Sequence, residues 1–330
     1  MREENALIIG EATVRKYLTP EDVIDCVEKT WRWYGEGKVV MPNKITTDMS
    51  GMGIPGWFNA MPAYIAPMDV AGIKVVGGYD GNKALGLPYI KANLLVTDSR
   101  TGVLRALIAG DYINDLRTGA QPAIAARLLA SSTDTVTIIG TGLQGYTSLL
   151  CMSKVLSMKE VRLSDISEAA MDAFIARFPA DVPFRFVKCA SREAACRGAD
   201  VIITVTNANA DLVEEPWVKE GALVMTMGSF RETAPDVVLK ADKRAVDQVG
   251  QSLHRGNVKE LAEAGKITAD SFEIVVPDVL AGKTPGRTDP KDRIYMQIIG
   301  TGMLDVAAAG LLLERIEASG DELFRFDMTR

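Results

Sequence analysis

At 330 residues the chain is long enough for two domains, each with a core of its own. With 47% hydrophobic and 24% charged residues it has the profile of a soluble globular protein, and a net charge of -6 argues against nucleic acid as the main partner, because backbone binding needs a basic face. Cys26, Cys151, Cys189 and Cys196 show no CxxC spacing, and the single histidine, His254, leaves almost no material for a Ser-His-Asp mechanism or a His-ligated metal, so proton transfer falls to Lys, Asp or Glu.

The opening MREENALIIG carries acidic residues and only a short apolar run, which is not the pattern of a secretory signal. No stretch reaches the roughly 18 apolar residues of a membrane helix, so the protein is expected in the cytoplasm, without a membrane partner. Residues 20–36 place Val23, Ile24, Val27, Trp31 and Tyr34 at helical spacing behind Thr19 as cap and Pro20 at the first position, which predicts a surface helix. The runs 57–66, 71–79, 89–97 and 103–109 are short, apolar or β-branched, and broken by Gly, Pro, Asp and Ser. They predict an α+β unit with an antiparallel sheet. Lys74 lies inside one run, Gly72-Ile73-Lys74-Val75-Val76, where it either faces water or serves chemistry in a buried site.

From Asp111 the pattern turns helical, and from Thr135 to about Val276 strand and helix alternate, which predicts a doubly wound parallel sheet, an α/β fold of Rossmann type. The strand run Thr135 to Gly140 leads into Gly140-Thr141-Gly142-Leu143-Gln144-Gly145 and an apolar helix. Gly140 suits the tight turn, Gly142 the approach of a pyrophosphate, and Gly145 the close packing of helix on strand. The next strand ends at Asp165, 20 residues past Gly145, where a carboxylate binds ribose hydroxyls and repels a 2′-phosphate. This points to NAD(H) in preference to NADP(H). Strand Val201 to Thr206 carries Thr204, Thr206 and Asn207 at its carboxyl end, either beside a nicotinamide ribose or as a hydroxyl-capped turn. His254 either touches the cofactor or caps a turn. Residues Ile298 to Ile316 read as a last helix, with Asp305 near its start as an N-cap or as a group on the nicotinamide side.

Six landmarks stand in order: Met61-Pro62-Ala63, Lys74-Val75-Val76, Asn82 to Pro88 (NKALGLP), Leu116-Arg117-Thr118, Gly140 to Gly145, and Gly300 to Asp305 (GTGMLD). In this order and spacing the chain resembles the ornithine cyclodeaminase/μ-crystallin family over nearly its whole length. The resemblance implies a substrate-binding and dimerisation domain from residues 1–119 with 301–330, and a Rossmann domain from 120–300. It also implies a homodimer formed through the first domain's sheet. Arg117 would hold the substrate α-carboxylate, Lys74 would be the acid/base at the amine or imine, and Lys44 stands near a second carboxylate-binding position. Thr118, Leu143, Gln144, Gly228, Ser229 and Thr301 would join the glycines around the dinucleotide.

One loop departs from the family's pattern. Cyclodeaminases follow the fourth Rossmann strand with Gly, a small residue and Asp, whereas this chain has Gly228-Ser229-Phe230-Arg231-Glu232. An aromatic ring beside an arginine does not assist a distal ammonium, although Glu232, two positions on, offers a carboxylate. With Arg231 and Lys44 as substrate-binding cations, the expected reaction is NAD(H)-dependent reduction of a small 2-imino acid to an L-amino acid. Iminosuccinate to aspartate, or iminopropionate to alanine, is the expected type. The rivals are an ornithine cyclodeaminase or cyclic imine reductase, and a crystallin-like binding protein without turnover.

Overall fold

A computed structural model describes residues 5–329. In chain order the elements begin with β1 (Asn5–Ile9), α1 (Glu11–Tyr17), α2 (Pro20–Gly35), β2 (Val39–Val40) and β3 (Ile45–Asp48). They continue with β4 (Gly56–Ile65), β5 (Val70–Tyr79), β6 (Ile90–Thr97), β7 (Leu104–Ala109) and the long α3 (Asp111–Leu129). Then come β8 (Thr135–Ile139), α4 (Leu143–Val155), β9 (Glu160–Ser164), α5 (Glu168–Ile175), β10 (Arg185–Lys188), α6 (Arg192–Cys196) and β11 (Val201–Thr204). The last stretch holds β12 (Leu223–Met227), α7 (Pro235–Leu239), β13 (Lys243–Val246), α8 (Val249–Ser252), α9 (Lys259–Glu263), β14 (Ile274–Val275), α10 (Val276–Leu280), β15 (Ile294–Ile298), α11 (Gly302–Ser319) and β16 (Arg325–Asp327). The chain divides into one compact unit of residues 1–117 with 301–330 and a second of residues 118–300.

The first unit is built on a sheet in the order β16-β1-β7-β6-β5-β4-β2, with β3 also paired to β4. It is mixed, because β1 runs parallel to β7 while the other pairs are antiparallel. The sequence reading of an antiparallel sheet thus holds for β2 to β7 and misses β1, whose partner lies about a hundred residues on. One face is covered by α11, where Met303, Leu304, Val306 and the alanines 307–309 are buried. The approach is close: a Cβ at Gly302 would sit 2.7 Å from the Met61 carbonyl oxygen. Helix α2 starts at the predicted cap, Thr19, whose side chain accepts from the Asp22 N–H in a capping box, and it buries Val23, Ile24, Val27 and Trp31.

Residues Ile298 to Thr301, read from sequence as helix, are not helical. Ile298 closes β15, Gly300 takes φ 73°, and Thr301 is the N-cap of α11. Asp305 therefore lies in the first turn rather than at the cap.

The opposite face of this sheet carries a cross-strand row, Ile8–Leu107–Leu95–Ile73–Pro62, in register over five strands. Ile8 and Leu107 are 40% and 41% exposed. The neighbouring row, Ile9–Ile108–Leu94–Lys74–Met61, points inward, and period-2 alternation puts Lys74 in the core with them.

In the second unit all eight strands are parallel, in the order β10-β9-β8-β11-β12-β15-β13-β14. Sequence order reverses direction between β8 and β11, the switch point at which doubly wound sheets bind ligands beyond their carboxyl ends. Buried runs such as Leu223-Val224-Met225-Thr226-Met227 fit a sheet covered on both faces. Among the described residues no helix is long and apolar enough to cross a membrane.

Candidate active site

In the first unit four polar side chains meet in the core. Lys74 Nζ donates to Asp305 Oδ2 at 2.6 Å and to Asn114 Oδ1 at 3.2 Å; Arg117 Nε donates to Asp305 Oδ1 at 3.0 Å and Nη2 to Asn114 Oδ1 at 2.6 Å. Lys74 and Asp305 are fully buried, and Arg117 and Asn114 nearly so. Strand β5 presents Lys74, α3 presents Asn114 and Arg117 one turn apart, and α11 presents Asp305 in its first turn, where the helix dipole favours an anion. Burial, reinforced by the Arg117 charge and opposed by Asp305, lowers the Lys74 pKa from 10.5 to about 7. Burial raises Asp115, the residue between Asn114 and Leu116, to about 6. A lysine that exchanges its proton near neutrality, beside a guanidinium with its orientation fixed, suits proton transfer to a substrate held by a carboxylate.

Lys44 is half-exposed and precedes β3, one residue from the row Ile45–Ala60–Val75 that neighbours the Lys74 row. Asn114 is absent from the sequence reading. Its signal is the i, i+3 spacing to Arg117, which places both on one face of α3.

In the second unit, β8 turns through Gly140 (φ +101°), where any Cβ would lie 2.7 Å from the Val205 carbonyl oxygen, into α4. A Cβ at Gly145 would lie 2.2 Å from the Gly140 carbonyl oxygen, whereas one at Gly142 would meet nothing within 4 Å. The helix has Gly142 as N-cap with no side-chain cap, so its first amides are offered to a ligand; Leu143, Gln144 and Gly145 form that first turn. Open space at Gly142 and an uncapped N-terminus fit a pyrophosphate. Gly145→Ala is expected to destabilise the protein by about 1–3 kcal/mol and to weaken NADH binding. Thermal denaturation and NADH fluorescence titration check it, and wild-type behaviour in both would show that the turn can open.

Asp165 follows β9 directly, half-buried; burial pushes its pKa up, but hydrogen bonds from Thr141 and Ser167 outweigh this and hold it below the usual carboxylate value. Thr118 is half-buried on α3, Gly228 (φ +95°) has open space above its Cα, and Ser229 is exposed. Thr301, in the first unit, is buried with its Oγ1 lacking a hydrogen-bond partner.

Thr204 and Thr206 turn their hydroxyls to Glu232: Thr204 Oγ1 donates to Glu232 Oε2 at 3.0 Å, and the Thr206 N–H and Oγ1 donate to Glu232 Oε1 at 2.6 and 2.7 Å. Glu232 is fully buried, and burial raises its pKa to about 7 against the pull of these donors. It therefore braces the end of β11. Arg231 pairs with Asp211 at 2.8 Å, which offsets the positive field ascribed to it. His254 is exposed, with its backbone N–H closing a turn on Gln251.

The family profile of the ornithine cyclodeaminase/mu-crystallin family matches residues 4–320. The alanine dehydrogenase of Archaeoglobus fulgidus is 29% identical over 312 residues, covering 93% of this chain and 94% of that one. Two solved structures superpose closely. A Thermococcus litoralis Δ1-pyrroline-2-carboxylate reductase in complex with NADH and L-proline has TM-score 0.89 and 25% identity, over 95% of this chain and 98% of that one. An archaeal alanine dehydrogenase dimer with bound NAD has TM-score 0.90 and 28% identity, over 98% and 99%. With the landmark residues in place and the match running nearly end to end, the chain belongs to the ornithine cyclodeaminase/mu-crystallin family.

Proposed function

We propose that the protein catalyses NAD(H)-dependent reduction of a small 2-imino acid to an L-amino acid, reversibly. The observation that carries this reading is the buried Lys74–Asp305–Arg117 cluster with Asn114 bridging its two cations. Arg117, anchored through Nε and Nη2, has the planar fork that binds an α-carboxylate. A bound nicotinamide supplies the hydride to the imine carbon. As the C=N π pair moves onto nitrogen, Lys74 Nζ gives that nitrogen a proton and is left neutral, and Asp305 keeps the Nζ aimed. The reverse reaction begins with neutral Lys74 taking the proton back.

Asp165 and the absence of a basic residue in Ser164-Asp165-Ile166-Ser167 support NAD(H) over NADP(H). Between the two acid types, the Arg231–Asp211 pair supports a small neutral side chain, as in iminopropionate, ahead of the dicarboxylate iminosuccinate. A cyclic imine reductase is the second reading, supported by likeness to the pyrroline-2-carboxylate reductase. Ornithine deamination is disfavoured because Phe230 replaces the acidic residue and Glu232 is committed to Thr204 and Thr206. A second copy of this chain is the proposed partner, docked on the apolar row of Ile8, Leu107, Leu95 and Ile73; the related archaeal enzyme is a dimer.

The test is a panel of pyruvate, glyoxylate and oxaloacetate with ammonia or methylamine, plus Δ1-pyrroline-2-carboxylate, each followed by NADH oxidation, against ornithine with NAD. The expected order of kcat/KM is pyruvate, then oxaloacetate, with ornithine last. Fastest turnover of ornithine would overturn the reading. Tight binding of imino acids with no NADH oxidation would put a binding protein in its place.

A further inference from the structure

Asp165 is gripped by its own unit. Thr141 donates to Asp165 Oδ2 twice, from its backbone N–H at 2.7 Å and from Oγ1 at 2.8 Å, and the Ser167 N–H donates to Oδ1 at 3.0 Å. A carboxylate offers about four lone-pair sites. Oδ2 is thus filled by Thr141, and the backbone N–H groups of Ser167 and Ile166 add to the hold on the carboxylate. Thr141 stands between the first two glycines of the turn, where neither the bend at Gly140 nor the open space at Gly142 calls for a hydroxyl.

We propose that Thr141 is a specificity-determining residue for the dinucleotide, because by filling Oδ2 it locks the Asp165 carboxylate in the position that a 2′-phosphate would need. The inference rests on the NAD(H) reading above. A carboxylate free to turn yields to a 2′-phosphate by changing rotamer, a small cost. A tethered one must first break charge-assisted hydrogen bonds, which are about twice as strong as neutral ones. The side chain next to Asp165 is the fully exposed, uncharged Ile166, which offers a phosphate no cation.

Thr141→Val removes Oγ1 while keeping the backbone donor and the side-chain volume. Fluorescence titration of NADH and NADPH at one fixed salt concentration is expected to show the NADPH/NADH ratio of Kd falling about tenfold, the effect of one hydrogen bond to a charged group. Most of the change should be a tighter NADPH. Thr141→Ser should restore the wild-type ratio, and Thr141→Ala carries the same expectation as valine if branching disturbs the turn. If Thr141→Val and Thr141→Ala leave the ratio unchanged while Asp165→Ser narrows it, Thr141 is only structural and the inference fails, with the NAD reading intact. If Thr141→Ser behaves like valine, the hydroxyl is not the agent and the inference also fails. An unchanged ratio in Asp165→Ser removes the assignment of Asp165 itself, and wild-type protein that binds neither dinucleotide removes the NAD(H) reading.

Discussion

Replacing Lys74 with alanine is expected to lower kcat by about 10²–10⁴, the range for loss of a positioned general acid, with NADH affinity near wild type. The pH dependence should locate the group. Burial holds Lys74 near 7, so the protonated form needed to reduce an imine is depleted as pH rises past that value, and reductive turnover should fall. In the oxidative direction neutral Lys74 is the reactive form, and kcat should rise through the same region. Rapid-mix kinetics in both directions, on wild type and variant, make the check. Undiminished turnover in Lys74→Ala would leave Lys74 a structural lysine of the sheet interior.

Asp305→Ala should be the most destabilising single change in the first unit. It leaves Lys74 and Arg117 buried together with their shared anion gone, and breaking a buried pair in this way costs about 3–5 kcal/mol. The thermal midpoint should drop on the order of 10 °C. Adding Lys74→Met to that variant removes a buried amine left without its carboxylate partner and should recover part of the loss, although activity stays absent. Calorimetry on the single and double variants decides the matter, and an unchanged midpoint in Asp305→Ala would mean that the cluster is not stabilised by its carboxylate. The same residues predict a sign for pH: the folded chain binds fewer protons at Lys74 than the unfolded chain between about 7 and 10.5, so this group's contribution to stability grows as pH rises across that window.

Local chemistry made the cofactor turn legible from sequence. Gly140, Gly142 and Gly145 lie within six residues, and the structure gives Gly140 and Gly145 each a separate steric reason, while Gly142 leaves open space at the helix N-terminus. Helix α2 was equally legible, because Thr19, Pro20 and the apolar spacing agree. Long-range pairing was not. Strand β1 is five residues that take their meaning from β7, and β16 pairs with β1 from the other end of the chain. Lys74 illustrates the mixed case: alternation sets it on the inward face with Val76, while its charge argues for water, and only Asp305 settles the conflict. Thr204 and Thr206 are ambiguous in sequence for a related reason, since hydroxyls at a strand's carboxyl end suit a ribose and an internal carboxylate equally well, and Glu232 lies 28 and 26 residues further on.

The wide separation of Lys74 and Asp305 along the chain bears on how the protein is made. The two lie 231 residues apart, with the whole second unit encoded between them. Ribosomes add about 5–20 residues per second, and domains tend to fold as units during synthesis. A nascent chain therefore holds Lys74 and Arg117 for on the order of ten seconds or more before Asp305 exists to neutralise them. During that interval the sheet of β4, β5 and β6 also lacks α11, the helix that covers its inner face. The second unit, contiguous in sequence, can close first. The first unit is then completed by a helix encoded after the whole second unit, so the buried Lys74–Asp305 pair forms only once residue 305 has been made.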